Sequence, residues 1–92
     1  MPKKLDAAFE VSLPFTAQHD CFLELIGTNQ AGTNGYYMYL QINGVLQFPL
    51  SGMTPNNWLI SHCFHMRKGE LLTLQDGAGL ANWHIYGNYF VP

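Results

Sequence analysis

Four histidines and two cysteines are the residues of this chain best able to bind a metal or attack a substrate. Three of the six crowd into His62-Cys63-Phe64-His65. A thiol and an imidazole make a nucleophilic pair only where they converge and a third group orients the base. A strand opposes this. Its neighbouring side chains diverge, and residues three apart, such as His62 and His65, point to opposite faces. No His-x-His or Cys-x-x-Cys spacing supports a metal site. The carboxylates Asp6, Glu10, Asp20, Glu24, Glu70 and Asp76 form no sequence pair with acid–base spacing. The expectation is a non-enzymatic chain with no cofactor and no metal site.

The second set is aromatic: Tyr37, Tyr39, Trp58, Trp83, Tyr86 and Tyr89. Such residues fill cores and subunit interfaces. They also stack on the apolar face of sugar rings while nearby amides pair with hydroxyls. Asn56, Asn57 and Asn82, beside Trp58 and Trp83, fit a carbohydrate-binding module of that kind. If Met38, Leu40 and Ile42 face inward, Tyr37, Tyr39 and Gln41 face outward. Ser61 and His65, opposite Phe64 and Met66, do likewise. These five are the expected oligomer interface.

The elements that position these residues read as strands. Phe9, Val11, Leu13 and Phe15 alternate with polar partners and Pro14, as in an edge strand or a strand end. Residues 21–26 form the next strand, and 27–35 form a loop rich in turn residues. Residues 36–42 alternate most clearly. Asn43-Gly44 follows, a type I′ hairpin signal, and residues 45–50 return. A loop at 51–57 precedes a strand at 58–66, a turn at Lys68-Gly69, a strand at 70–75, a turn at 76–79 and a last strand at 83–91. Seven or eight short strands at this spacing predict an all-β sandwich or jelly roll in a single domain, residues 1–92. Residues 1–5 are expected to be a disordered tail or the end of a longer parent chain.

Composition narrows the partners. Apolar residues make up 48 % of the 92 and charged residues 11 %, against about 25 % charged in an average domain. Residues 25–66 carry no Asp, Glu, Lys or Arg. A domain this small buries only about 60–65 % of its unfolded surface and gains from association. A neutral, aromatic middle therefore points to contact with another protein surface or an uncharged ligand. The net charge of −2 gives no basic patch for nucleic acid. No apolar stretch reaches the length of a membrane span, and residues 1–10 lack the apolar region of a secretory signal. Cys21 shares a face with Leu23 and Leu25, whereas Cys63 faces the other way, so two free thiols and folding in a reducing cytoplasm are expected.

Three segments resemble a known pattern. Phe15-Thr16-Ala17-Gln18-His19-Asp20-Cys21 resembles the aromatic-Thr-Ala-Pro-x-Asp-Gly segment of small jelly-roll heads that cap phage tail fibres and similar trimeric surface proteins. Gln18 stands where that pattern has proline, and Cys21 where it has glycine. Arg67-Lys68-Gly69-Glu70-Leu71-Leu72 resembles their Lys-Gly-Asp/Glu turn, and Tyr89-Phe90-Val91-Pro92 their closing strand. With the Ile42-Asn43-Gly44-Val45 hairpin, the resemblance covers most of the chain. It implies a fold related to tumour necrosis factor and C1q heads and a homotrimer. It also implies a receptor-binding or fibre-capping role toward a host cell-surface receptor or glycan. The implied location is a virion tail-fibre tip or, alternatively, a bacterial cell surface.

Overall fold

The computed structural model describes residues 4–5, 7–30, 35–52, 55 and 57–91. Among these, nine strands form and no helix does. They are β1 (Lys4–Leu5), β2 (Phe9–Val11), β3 (Phe15–Thr16), β4 (Cys21–Asn29), β5 (Tyr36–Ile42), β6 (Val45–Gly52), β7 (Leu59–Met66), β8 (Leu71–Ala78) and β9 (Leu80–Val91). The chain is thus all-β.

Alternation in sequence becomes alternation in burial. Along β4 and β5 every second residue is buried and the residues between are half-exposed. Each face therefore has one fate, as the two-residue period of a strand dictates. The buried sides of two antiparallel sheets share one core, in the manner of a β-sandwich. Leu23, Leu25 and Ile85 come from one sheet, and Met38, Leu40 and Leu72 from the other. Each fully buried leucine contributes about 1.5–3 kcal/mol.

The first sheet runs β1-β9-β4-β7, with β2 also paired to β9, and the second runs β3-β8-β5-β6. Pairing is nested: β5 with β6, β4 with β7, β3 with β8 and β2 with β9. From β2 onward, only the β5–β6 hairpin stays within one sheet; every other connection crosses to the opposite layer. At that hairpin Asn43 and Gly44 both have positive φ, 53° and 78°, as a type I′ turn requires. The Asn43 side chain also accepts a hydrogen bond from the Leu71 N–H, tying the turn to β8.

Tertiary pairing revises several sequence expectations. The single strand expected over 9–16 is two, β2 and β3, in different sheets. The chain changes layer at 12–14, where Pro14 has no N–H to give to a ladder. Lys4 and Leu5, expected in a tail, pair with Val91 and Phe90. Gly27, Thr28 and Asn29, expected in a loop, extend β4, because Thr28 pairs with both Leu59 and Ala81. Gly27 suits that place, since a Cβ there would lie 2.8 Å from Leu80 Cγ. Asp76, Gly77 and Ala78, expected in a turn, extend β8 by pairing with β5. Only Gly79, at φ 81°, separates β8 from β9. The last strand begins at Leu80 rather than Trp83, and its ladder with β4 is irregular between Ile26 and Thr28, where Asn82 takes φ 51°.

Candidate functional site

The His62-Cys63-Phe64-His65 segment lies on β7, at the edge of the first sheet. Cys63 pairs with Glu24 and His65 with Phe22 across the ladder, so these four share the outer face. His62 pairs with the buried Leu25 and belongs to the inner face. The Cys63 thiol meets a carboxylate, with Sγ 3.5 Å from Glu24 Oε2. Desolvation first, then the hydrogen bond and charge of Glu24, push this thiol up from its ordinary range. A reactive thiolate needs the reverse, an electropositive setting. Both cysteines are free: Cys21 is buried and Cys63 exposed. Burial, followed by the charge of Asp20, raises Cys21 as well, against a backbone hydrogen bond at Met66.

The outer face of the first sheet has two characters. One part is polar. Glu10 Oε1 lies 3.0 Å from His84 Nδ1, the His84 ring stacks on Tyr86 at 5.9 Å, and Glu24 is close by. The other part is aromatic, with Asp20, Arg67 and Glu70 at its border. His65 sits between Phe22, at a centroid distance of 5.4 Å, and Phe90, at 5.9 Å. Ser61 pairs with Ile26 farther along the same face. Phe22 and Phe90 were not singled out from the sequence. The alternation around Cys21 and Leu23 carried the signal for Phe22, but its neighbours come from β7 and β9.

The outer face of the second sheet carries Tyr37, Tyr39 and Gln41, all half-exposed. The two tyrosine rings lie 5.2 Å apart. The Tyr37 hydroxyl donates to Asp76 Oδ2 at 3.3 Å, and Gln41 Nε2 donates to Gln75 Oε1 at 2.9 Å. The charge of Asp76 is the leading cause that raises the Tyr37 phenol above its ordinary range. The five residues expected at one interface thus divide. Tyr37, Tyr39 and Gln41 lie on one outer face, and Ser61 and His65 on the opposite one.

The tryptophan group divides too. Asn56 lies outside the described residues. Trp58, just before β7, is 55 % exposed. Its carbonyl accepts from Asn29 N, and Asn57 N donates to Asn29 O, so both residues are tied to the end of β4. Asn57 holds φ 63°, and its Oδ1 accepts a 2.7 Å hydrogen bond from Gln30 Nε2. Asn82 is exposed on β9. Trp83 packs against the core and, with Leu13, Pro14, Thr73 and Leu74, lines an open depression of about 510 Å³. Strand β4 stands between β9, which carries Trp83, and β7, which follows Trp58. Nothing near Gln30 in sequence marks it, because its partner is 27 positions away.

A larger open depression, about 700 Å³, sits where β4 begins and β7 ends. Asp20, His65, Arg67, Glu70 and Phe90 line it, over Cys21, Ile42 and Met66. Two of its carboxylates serve backbone N–H groups: Glu70 Oε1 accepts from Arg67 N, and Asp20 Oδ1 from Lys68 N. They hold the Arg67-Lys68-Gly69-Glu70 turn in shape.

Fold and surface define an all-β domain of two antiparallel sheets with an aromatic cluster on an outer face. Comparison with family models, curated proteins and solved structures returns no match.

Proposed function

We propose that this chain is a non-enzymatic head domain of jelly-roll type. It assembles as a homotrimer and caps a fibre or engages a host cell surface, as its resemblance to phage tail-fibre heads implies. The virion tip, after folding in the host cytoplasm, is the corresponding location. Nested strand pairing supports the jelly-roll reading, since an eight-strand hairpin folded over itself winds in this way.

The observation that carries the assembly is the aromatic Phe22–His65–Phe90 cluster on the outer face of the first sheet. Solvent gives no reason to gather aromatic rings there, whereas a subunit interface does. Patches on opposite faces of a protomer build open stacks, and a closed ring needs patches inclined to one another. The ring contact is therefore assigned to the face of Ser61 and His65 and the adjoining β7 edge. Tyr37, Tyr39 and Gln41 remain on the outside of the assembly. The raised thiol of Cys63, desolvated and beside Glu24, argues against its use as a thiolate nucleophile. Light scattering after size exclusion tests the reading. Three chain masses are expected, and a monomer that persists across a dilution series overturns it.

The second reading, a small lectin-like module, is favoured by one observation: the exposed Trp58 follows Asn57, whose side-chain amide is paired with that of Gln30.

A further inference from the structure

We propose that Gln30, Asn57 and Trp58 form a binding site for a neutral sugar ring, at the end of the sandwich where β4 finishes and β7 starts. Trp58 is 55 % exposed, and its backbone is held on both sides. Trp58 N donates to Pro55 O at 3.2 Å, and Asn29 N donates to Trp58 O at 3.0 Å. Gln30 is held as well, donating its N–H to Gly79 O at 2.9 Å. A large apolar surface offered to solvent on a fixed backbone loses little freedom when a ligand covers it.

The amides supply the complementary chemistry. Gln30 Nε2 gives one hydrogen to Asn57 Oδ1, which orients both groups. Gln30 Oε1 is then left as an acceptor and Asn57 Nδ2 as a donor. Neither atom has a partner among the described residues. A hydroxyl both donates and accepts, so adjacent hydroxyls on one ring match this pair. The apolar C–H face of the same ring matches the indole. All three residues lie in the stretch without Asp, Glu, Lys or Arg, so none of them carries a fixed charge to recruit an anionic sugar or a phosphate.

This inference rests on the binding role common to the head and lectin-like readings and names the ligand class that role would recognise. It does not depend on oligomeric state, so its failure and the failure of the trimer are read by separate measurements. The test is saturation-transfer NMR of the full chain with methyl glycosides of glucose, galactose, mannose and N-acetylglucosamine, and with a sialoside as charged control. At least one neutral glycoside is expected to give a saturable signal exceeding that of the sialoside. Trp58→Ala should weaken it at least tenfold and Gln30→Ala several-fold, with melting temperatures unchanged. Trp58→Phe, which keeps a ring, should restore most of it. The proposal is overturned if no glycoside saturates on the parent chain, if Trp58→Ala binds as well as the parent, or if Trp58→Ala alters self-association without any sugar signal.

Discussion

Placing an aspartate at Phe22 tests the assembly most directly. Phe22 lies on the outer face of β4, half-buried against His65, so Phe22→Asp removes no side chain from the core. Completing the burial of a ring already half-covered is worth about 1.5 kcal/mol at the low end of the range for a buried phenylalanine. A carboxylate trapped at that contact costs at least about as much again. The sum is about 3 kcal/mol per copy and about 9 kcal/mol per trimer, or roughly six orders of magnitude in the dissociation constant. The midpoint concentration of a monomer–trimer equilibrium varies as the square root of that constant, so it rises by about three orders of magnitude. Light scattering across a dilution series measures the shift, and far-UV circular dichroism checks that the monomer keeps its strands. Tyr39→Asp, on the opposite outer face, is the control and should leave the mass unchanged. The reasoning fails if Phe22→Asp keeps the parent mass at every dilution, or if Tyr39→Asp is the variant that dissociates.

Three further outcomes follow from the geometry. Gly87→Ala places a Cβ 2.8 Å from both Leu23 Cδ2 and Phe9 Cζ; overpacking of this kind costs about 1–3 kcal/mol. Thermal melts at one fixed concentration should show Tm lower by about 4–8 °C for each kcal/mol in a domain of this size, with partial recovery in the Phe9→Leu background. Cys63 should react with a thiol reagent more slowly than an unperturbed exposed cysteine at mildly alkaline pH, because desolvation, and after it Glu24, disfavours its thiolate; Glu24→Gln should speed the reaction in part, while Cys21 stays unlabelled until the chain unfolds. The Tyr37 phenol is raised by Asp76, so its bond contributes fully below the ordinary phenol range and is lost as pH climbs through the raised value. Ultraviolet titration should therefore show Tyr37 ionising late, and Asp76→Asn should move it to lower pH.

Much of the fold was legible because a strand records its environment in every second residue. Met38, Leu40 and Ile42 proved to be core and Tyr37, Tyr39 and Gln41 outward, since one buried sheet face imposes one pattern. Asn43-Gly44 announced its turn because few residue pairs accept two positive φ values. The same alternation separated buried Cys21 from exposed Cys63. Strand ends were less legible. Gly27, Thr28, Asn29, Asp76, Gly77 and Ala78 have the composition of turns, yet they lie in strands because β5, β7 and β9 supply ladder partners.

The candidate sites divide along the same line. Local sequence determined which side of its own strand each residue takes, because the period of two is a property of the strand alone. Only the tertiary structure decided which faces coincide. It set Ser61 and His65 against Phe22 and Phe90 and put Tyr37 and Tyr39 on the far side. It turned Trp83 toward the core while leaving Trp58 in solvent, and it brought Gln30 to Asn57. Each of these depends on pairing between distant segments, and pairing is chosen by the fit of the whole core rather than by any one stretch of chain.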